Sequence, residues 1–228
     1  MLILGHRGVA GHRPENTIAS FRAAVDMELD GVEFDVRVTA DLVPVVIHDA
    51  TLDRTTTGSG IVNELTLEQL SNRTATDEHA IPLLKDVVWE VCGFPLINVE
   101  LKEYAAWKPA LAVLETAVAN HKLTPSQILI TSFEHESIRA LCRESTQFPV
   151  GLLTRGLPDE DFWSLADELN AASVNIDLAA VDRAFVERAH RGGMQAMVYT
   201  VNDSSQAANM RKLGVDAIFS DFPDRVRS

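Results

Sequence analysis

Residues 33–49 combine two carboxylates and a histidine at a spacing that could do chemistry. Two short β-branched runs in this stretch predict two strands joined by a tight turn, which makes the strands antiparallel. Side chains alternate along a strand, so Glu33 and Asp35 share one face. A turn centred near positions 41 and 42 pairs residues whose numbers add up to about 83, which predicts His48 opposite Asp35. Two carboxylates beside an imidazole suit a hard divalent cation with an acid or base next to it.

The alternative for a Glu-x-Asp pattern on a strand is an ordinary solvent-exposed face. Phe34 and Val36 occupy the opposite, apolar face, and the histidine is expected at the same place as the two carboxylates. Carboxylates gathered together repel each other and need a compensating cation. The context therefore favours a metal site over a solvated surface.

Composition predicts one folded domain, residues 1–228, with an ordinary apolar fraction of 46%. The formal net charge of −13 argues against binding to nucleic acid or to an anionic membrane. An anionic substrate would have to be attracted locally, by a bound cation or a few basic residues. Cys92 and Cys142 have no ligand spacing and are predicted to be reduced. The first four residues are too short a run for a signal peptide and no stretch approaches a membrane span, so we expect a cytoplasmic protein without stable membrane insertion.

Strand-like and helix-like runs alternate along the chain, and this rhythm indicates the fold. Nine strand-like runs are recognised, one of which, 45–47, is the arm of the hairpin. The remaining eight, separated by helical runs with short connections, predict a closed (β/α)₈ TIM-type barrel of the α/β class. A doubly wound open sheet is the competing fold, but the first strand is not followed by a Gly-rich dinucleotide motif. Residues 39–82 are predicted to be a capping excursion after the second strand, formed by the hairpin and a long loop.

A barrel would gather the polar residues at the carboxyl ends of its strands on one rim, where active sites of this fold lie. His6 and Arg7 end the first strand, and Glu100 and Lys102 share a face at the end of another. With the residues on the second strand, the rim would receive three carboxylates, two histidines, an Arg and a Lys.

This set of side chains is suited to chemistry at phosphorus. Three carboxylates without clustered Cys or His ligands favour Mg²⁺ or Ca²⁺ over Zn²⁺. A cation flanked by Arg7 and Lys102 would bind a phosphate whose negative charge rises during displacement. Two histidines could divide the proton transfers between the attacking hydroxyl and the leaving alkoxide.

Six short motifs, in order, resemble those of the glycerophosphodiester phosphodiesterase family over essentially the whole chain. They are His6-Arg7-Gly8, Pro14-Glu15-Asn16-Thr17, Glu33-Phe34-Asp35-Val36, His48-Asp49, Glu100-Leu101-Lys102 and Thr200-Val201-Asn202, and Ser220-Asp221-Phe222-Pro223 adds support at the end. The resemblance implies a barrel fold and hydrolysis of small glycerophosphodiesters to glycerol 3-phosphate and an alcohol. It also implies a cyclic phosphate intermediate, formed by attack of the neighbouring glycerol hydroxyl.

The resemblance also implies a role for each matched residue. His6 and His48 would be the catalytic acid and base, Glu33, Asp35 and Glu100 would hold the cation, and Arg7 and Lys102 would contact phosphate. The family commonly has Trp before Thr-Val-Asn, where this chain has Tyr199. Tyr199 would present an aromatic face to the substrate with an added hydroxyl.

Other residues of the rim have simpler interpretations. Glu15 is expected in the first turn of a helix, where the helix dipole favours a carboxylate. Asp221 is expected to cap a helix in preference to being a further cation ligand. Asp49 would either orient His48 or begin the loop. The remaining histidines are interpreted as surface or loop residues: His12, His79, His121, His135 and His190.

Three alternative functions are compatible with parts of this pattern. A cation-dependent lyase or aldolase would use the three carboxylates but does not need the second histidine or Arg7. A non-catalytic barrel that binds phosphorylated headgroups would not need either histidine. A phosphodiesterase acting on lysophospholipids would require an apolar lip on the excursion. The oligomeric state is not indicated by the sequence.

Overall fold

The computed structural model of the protein describes residues 1–74, 79–144 and 147–227. Eight parallel strands form the central sheet, and a ninth, β3, is antiparallel to β2. The strands are β1 Leu2–Gly5, β2 Gly31–Val38, β3 Pro44–Val46, β4 Leu96–Leu101, β5 Ile128–Ser132, β6 Val150–Thr154, β7 Ser173–Asp177, β8 Gln195–Tyr199 and β9 Ala217–Ser220.

The sheet closes on itself because β1 pairs with both β2 and β9. Omitting β3, the order around the ring is β1, β2, β4, β5, β6, β7, β8, β9. The predicted (β/α)₈ barrel is therefore confirmed. In the register between β2 and β4, Glu33 lies beside Asn98 and Asp35 lies beside Glu100, so the acidic positions of two strands stand at one level.

Helices connect most of the successive strands, and several of them begin at a polar residue that caps the first turn. They are α1 Ile18–Asp26, α2 Leu67–Arg73, α3 Leu84–Val91, α4 Trp107–Ala119, α5 His135–Arg143, α6 Glu160–Glu168, α7 Arg183–Arg191, α8 Ser204–Leu213 and α9 Pro223–Val226. Thr17 caps α1 by accepting from the N–H of Ser20, and Asp182 caps α7 in the same way. Their apolar faces pack on the outside of the barrel and form the main core.

The hairpin register differs by one residue from the prediction. Val36 pairs with Val46, so Asp35 lies opposite Ile47 and His48 is one position further on. The reason is the turn, which is closed between Thr39 and Val43 and therefore centres on position 41. The N–H of Thr39 donates to the carbonyl of Val43, and the N–H of Val43 donates to the Thr39 hydroxyl.

The excursion after β2 has a small apolar core of its own. Val45 and Ile47 of the hairpin arm pack with Leu52, Val62, Leu65 and Leu70. Thr66 and Gln69 form a capping box at the start of α2. Residues 75–78 of the predicted 39–82 excursion lie outside the described residues. In the part of the chain that is described, none of the helices has both the length and the apolarity required to cross a bilayer.

Candidate active site

Three carboxylates lie together at the carboxyl end of the barrel strands. Glu33 and Asp35 come from β2 and Glu100 from β4, and one oxygen of each lies within 4.8 Å of the others. The three residues are only 3%, 1% and 8% exposed. Buried like charges at this spacing repel each other, so the cluster could hold a cation.

The pKa values of the three carboxyl groups reflect burial together with the same repulsion. Burial and the charge of Asp35 raise the pKa of Glu33 to about 8. Burial and the charge of Asp35 also raise the pKa of Glu100. Burial acts on Asp35 in the same direction, but Lys102 and Arg7 outweigh it and lower the pKa of Asp35 below its ordinary value. Both glutamates are therefore harder to ionise than ordinary glutamates, whereas Asp35 is easier to ionise than an ordinary aspartate.

The free oxygen of Glu33 shows that the cluster fits a hard cation. Its Oε2 accepts the N–H of Arg7 at 2.9 Å, while Oε1 is buried and has no hydrogen-bond partner within the described residues. An unpartnered carboxylate oxygen in the interior is costly unless something binds it. The donor set is all oxygen, which is the ligand type of Mg²⁺ and Ca²⁺.

Arg7 and Lys102 are the basic residues next to the carboxylates. Nε of Arg7 lies 3.3 Å from Asp35, and Nζ of Lys102 lies 3.3 Å from the other oxygen of Asp35. Lys102 also contacts Glu100, and Arg7 contacts Glu15 at 2.9 Å. Both predicted phosphate ligands are therefore brought to the site.

The loop that carries Arg7 is held in an unusual backbone conformation. Arg7 has φ +50° and Gly8 has φ +86°, a region that side chains disfavour. A Cβ on Gly8 would also lie 2.3 Å from the hydroxyl oxygen of Ser20. The glycine is required here because the first loop must pass directly over α1, which aims the N–H of Arg7 at Glu33.

His6 is paired with a carboxylate from the other end of the chain. Its Nδ1 lies 2.7 Å from Oδ1 of Asp221, and Asn202 donates to the second oxygen of Asp221 at 2.7 Å. Burial opposes the charged form of His6, but the hydrogen bond to Asp221 and the charge of Glu33 outweigh burial and raise its pKa. The expectation that Asp221 caps the last helix is wrong, because Phe222 occupies that position.

His48 is paired with the residue that follows it. Its Nδ1 lies 2.6 Å from Oδ1 of Asp49, so of the two interpretations of Asp49 the structure supports the one in which it orients the imidazole. Burial lowers the pKa of His48. The charge of Asp35 and the hydrogen bond to Asp49 raise it, but they offset the effect of burial only in part. Asp49 in turn accepts two hydrogen bonds from Arg54, at 2.6 and 3.0 Å.

Glu15 and Asn16 have roles that the sequence did not predict. Glu15 lies before α1 and accepts from both Arg7 and Arg54, so its expected place in the first helical turn is wrong. Asn16 is buried with φ +57°, and its amide donates to Asp35 at 2.8 Å. Asn adopts positive φ more readily than most residues, which is the local signal that could have indicated its position.

A cavity of about 310 Å³ joins these groups. It is lined by His6, Arg7, Glu33, His48, Asn98, Glu100, Lys102, Phe133, Leu153, Arg155, Tyr199, Thr200 and Phe219. The ring of Tyr199 meets Phe133 edge to face, and its hydroxyl donates to the carbonyl of Thr154 at 2.6 Å. The hydroxyl that distinguishes Tyr199 from Trp is thus used inside the protein.

The other histidines lie away from this cavity. His12 and His190 are exposed and pair with Asp224 and Asp216. His135 begins α5 and contacts the carbonyl of Leu153 through Nε2. None of these three lines the cavity. His12 and His190 lie on the surface as expected, whereas His135 is half-buried in a helix and is not a surface or loop residue.

The family model described as the glycerophosphoryl diester phosphodiesterase family matches residues 6–225. The chain belongs to this family. It is accordingly a phosphodiesterase of the glycerophosphoryl diester phosphodiesterase family, as the ordered motifs implied.

Relatives from bacteria match nearly the whole chain. A glycerophosphodiester phosphodiesterase of Caldanaerobacter subterraneus is 32% identical over 98% of this chain and 95% of its own length. A glycerophosphodiester phosphodiesterase of Bacillus altitudinis is 33% identical over 98% of this chain and 95% of its own length. Among solved structures of the family, a phosphodiesterase of Oleispira antarctica in complex with the product sn-glycerol-3-phosphate has a TM-score of 0.88 and 26% identity, covering 100% of this chain and 95% of that one.

Proposed function

We propose that this chain hydrolyses glycerophosphodiesters to glycerol 3-phosphate and an alcohol, with a divalent cation as cofactor. The observation that carries the proposal is the pair of histidines, each backed by a carboxylate at Nδ1, on the same cavity as Glu33 and Glu100 of the buried three-carboxylate cluster. The name of the Oleispira relative, whose structure holds sn-glycerol-3-phosphate, supports the same product.

Glu33, Asp35 and Glu100 would hold Mg²⁺ or Ca²⁺. When bound, the cation would supply positive charge against the phosphate oxygens as negative charge builds on them. Arg7 and Lys102 lie directly beside these carboxylates and would contact the same phosphate. The substrate phosphate would therefore be held in a region of positive charge inside a protein that is acidic overall.

The two histidines transfer the protons. A neutral ring that donates from Nδ1 to a carboxylate has its lone pair on Nε2, which is then free to take a proton. One histidine takes the proton of the attacking hydroxyl as the other gives a proton to the leaving alkoxide. Asp221 and Asp49 fix the orientation of the rings and stabilise whichever imidazolium forms.

The glycerol hydroxyl next to the ester is the proposed nucleophile. Its attack on phosphorus expels the alcohol and gives a cyclic phosphate, which water then opens with the roles of the two histidines exchanged. A nucleophile inside the substrate removes much of the entropic part of the barrier. An analogue with 1,3-propanediol in place of glycerol lacks this hydroxyl, and its hydrolysis should be at least about 1000-fold slower.

The chain would act as one barrel domain, with the excursion as a cap on the site. His48 lies at the base of the excursion and lines a second hollow of about 560 Å³, whose wall includes Arg54, Thr55 and Ala80. The proposed partner is a small diester, since the net charge of −13 disfavours nucleic acid.

Release of glycerol 3-phosphate from glycerophosphoethanolamine, measured with a coupled dehydrogenase, tests the proposal. Activity should require added Mg²⁺ or Ca²⁺ and should fall by about 100-fold or more in His6→Ala and in His48→Ala. His190→Ala, which removes an exposed histidine from α7, is the matched control and should leave activity unchanged. Near-normal turnover in both active-site variants would refute the assignment, and no release at all would favour a lyase or a binding protein.

A further inference from the structure

Arg155 stands at the rim of the active-site cavity with its guanidinium stacked on an aromatic ring. It follows β6 directly, and its Cζ lies 4.3 Å from the ring centroid of Phe133. Both residues line the 310 Å³ cavity that is also lined by His6, His48, Glu33 and Glu100. The stacking holds a positive charge in place at the edge of the site.

The charge of Arg155 is not neutralised by the protein. Arg7 and Lys102 each lie within 3.3 Å of a carboxylate, whereas no described carboxylate lies within 4.0 Å of Arg155. The sequence has 33 acidic residues against 20 basic ones, so an unpaired arginine is not explained by a shortage of carboxylates. Its side chain is exposed and turned toward a cavity that binds substrate, where an external anion can reach it.

The position of Arg155 is close to the proposed phosphate site, but its contacts differ from those of Lys102. Nζ of Lys102 lies 5.8 Å from the same Phe133 ring, so the two positive groups are no more than about 10 Å apart. Lys102 is already next to the carboxylates that would bind the scissile phosphate with the cation. Arg155 has no such carboxylate contact among the described residues, so it is free to contact a different group of the same substrate.

We propose that Arg155 binds a second anionic group of the substrate, a carboxylate or phosphate beyond the scissile phosphate, and so makes the enzyme prefer diesters with two negative charges. The proposal rests on the function proposed above. An arginine fork is well matched to either anion, because both offer two oxygens to paired N–H donors.

The same wall of the cavity is unfavourable for a cationic headgroup. A quaternary ammonium is recognised by open aromatic faces. Here a face of Phe133 carries the Arg155 guanidinium, and the Tyr199 ring meets Phe133 edge to face at 86°. A choline group on this side would meet Arg155 and Lys102, both positively charged.

Two matched substrate pairs test the proposal. Glycerophosphoserine carries one carboxylate more than glycerophosphoethanolamine. Bis(glycerophospho)glycerol carries one phosphodiester more than glycerophosphoglycerol, and this extra group can lie on either side of the cleaved bond. In Arg155→Met the ratio of kcat/KM within at least one pair should fall roughly tenfold, with the member that lacks the second anionic group little changed. The pair that responds identifies the anion as carboxylate or phosphate.

Two further variants separate recognition from structure. Arg155→Lys keeps the charge without the fork and should recover part of the lost preference. Arg188→Met removes an arginine that stacks on Trp163 outside the cavity and should leave every ratio unchanged.

An Arg155→Met enzyme with unchanged ratios in both pairs would overturn the inference. An equal loss on all four substrates would also overturn it, since Arg155 would then bind the phosphate common to them. If the unsubstituted enzyme cleaves none of the four diesters, the proposed function fails, and this inference fails with it.

Discussion

The Nδ1 atom of His6 lies 2.7 Å from Oδ1 of Asp221, although the two residues are 215 positions apart in the chain. β1 and β9 are neighbours in the closed barrel, and each residue follows the end of its strand. His6 thus has a fixed carboxylate partner at Nδ1, in the same way that His48 has Asp49.

Asp221→Asn should reduce kcat by about 100-fold or more with little effect on KM. The neutral amide of Asn lacks the negative charge that stabilises the His6 imidazolium. Its NH₂ group could also donate to Nδ1 and so select the wrong tautomer of the ring. Steady-state kinetics on glycerophosphoethanolamine would measure the loss. Asp224→Asn is a matched control, because Asp224 pairs with the exposed His12 at 2.6 Å a few residues away. If both variants lose activity equally, Asp221 has no special role in the reaction.

Arg54→Met should lower kcat by roughly tenfold because Arg54 holds both Asp49 and Glu15. Its guanidinium donates at 2.6 to 3.0 Å to these two carboxylates, of which Asp49 orients His48 and Glu15 contacts Arg7. Without Arg54, His48 and Arg7 would each lose part of the hydrogen-bonded support that holds them in place.

Kinetics of Arg54→Met and Arg54→Lys, with kcat and KM separated, would check this expectation. The lysine variant should recover part of the rate, since it can reach one carboxylate at a time. Arg22→Met removes a similar paired contact, with Glu90, on the outer surface and should have wild-type kinetics. Unchanged kcat in Arg54→Met would show that Asp49 orients His48 without help.

Glu33→Gln should flatten the pH dependence of stability in the absence of cation. The pKa of Glu33 is about 8 in the folded chain, against an ordinary 4.5. Between these values the folded protein holds a proton that the unfolded chain has released, so stability is fully present below about pH 4.5 and is lost as the pH rises toward 8. The raised pKa of His6 also makes stability fall as the pH rises. The Glu33→Gln variant should therefore keep a smaller slope of stability against pH.

Thermal unfolding in chelator at pH 5.5 and pH 8 would measure this difference, with each kcal/mol lowering Tm by about 2–4 °C at this chain length. Glu90→Gln, on the outer surface, should keep the wild-type slope. Added Mg²⁺ should raise the Tm of the wild-type protein at pH 8 far more than that of Glu33→Gln. A wild-type protein whose Tm rises from pH 5.5 to pH 8 in chelator would contradict the raised pKa.

His6→Ala and His48→Ala should differ when the leaving group needs no proton. A glycerol diester of 4-nitrophenol releases a stable phenolate, so loss of the general acid costs little on this substrate. The variant that lacks the acid should regain most of its rate, and the variant that lacks the base should stay slow. Release of nitrophenolate, followed by absorbance, would assign the two roles. Equal rates in both variants on both substrates would contradict a division of roles.

Local patterns were sufficient to predict the strands and the shared face of the acidic residues. Glu33 and Asp35 point the same way because of the two-residue period of a strand, and Glu100 reaches them because parallel pairing places it beside Asp35. The barrel followed from the alternation of elements, as the closed sheet confirms.

Long-range and backbone features were not predictable in the same way. The partnership of Asp221 with His6 depends on ring closure, and the Asp221 residue taken alone is typical of a helix cap. The contact of Asn16 with Asp35 depends on a positive φ that no periodicity reveals. The hairpin register was wrong by one residue because the Thr39 side chain closes the turn around position 41.

The closure of β9 on β1 ties catalysis to the completion of folding. As the chain emerges during synthesis, His6 is made 215 residues before its acidic partner. A chain made only as far as β8 would already possess the carboxylates of β2 and β4 but only one supported imidazole, so an enzyme assay would report directly on whether β9 has docked.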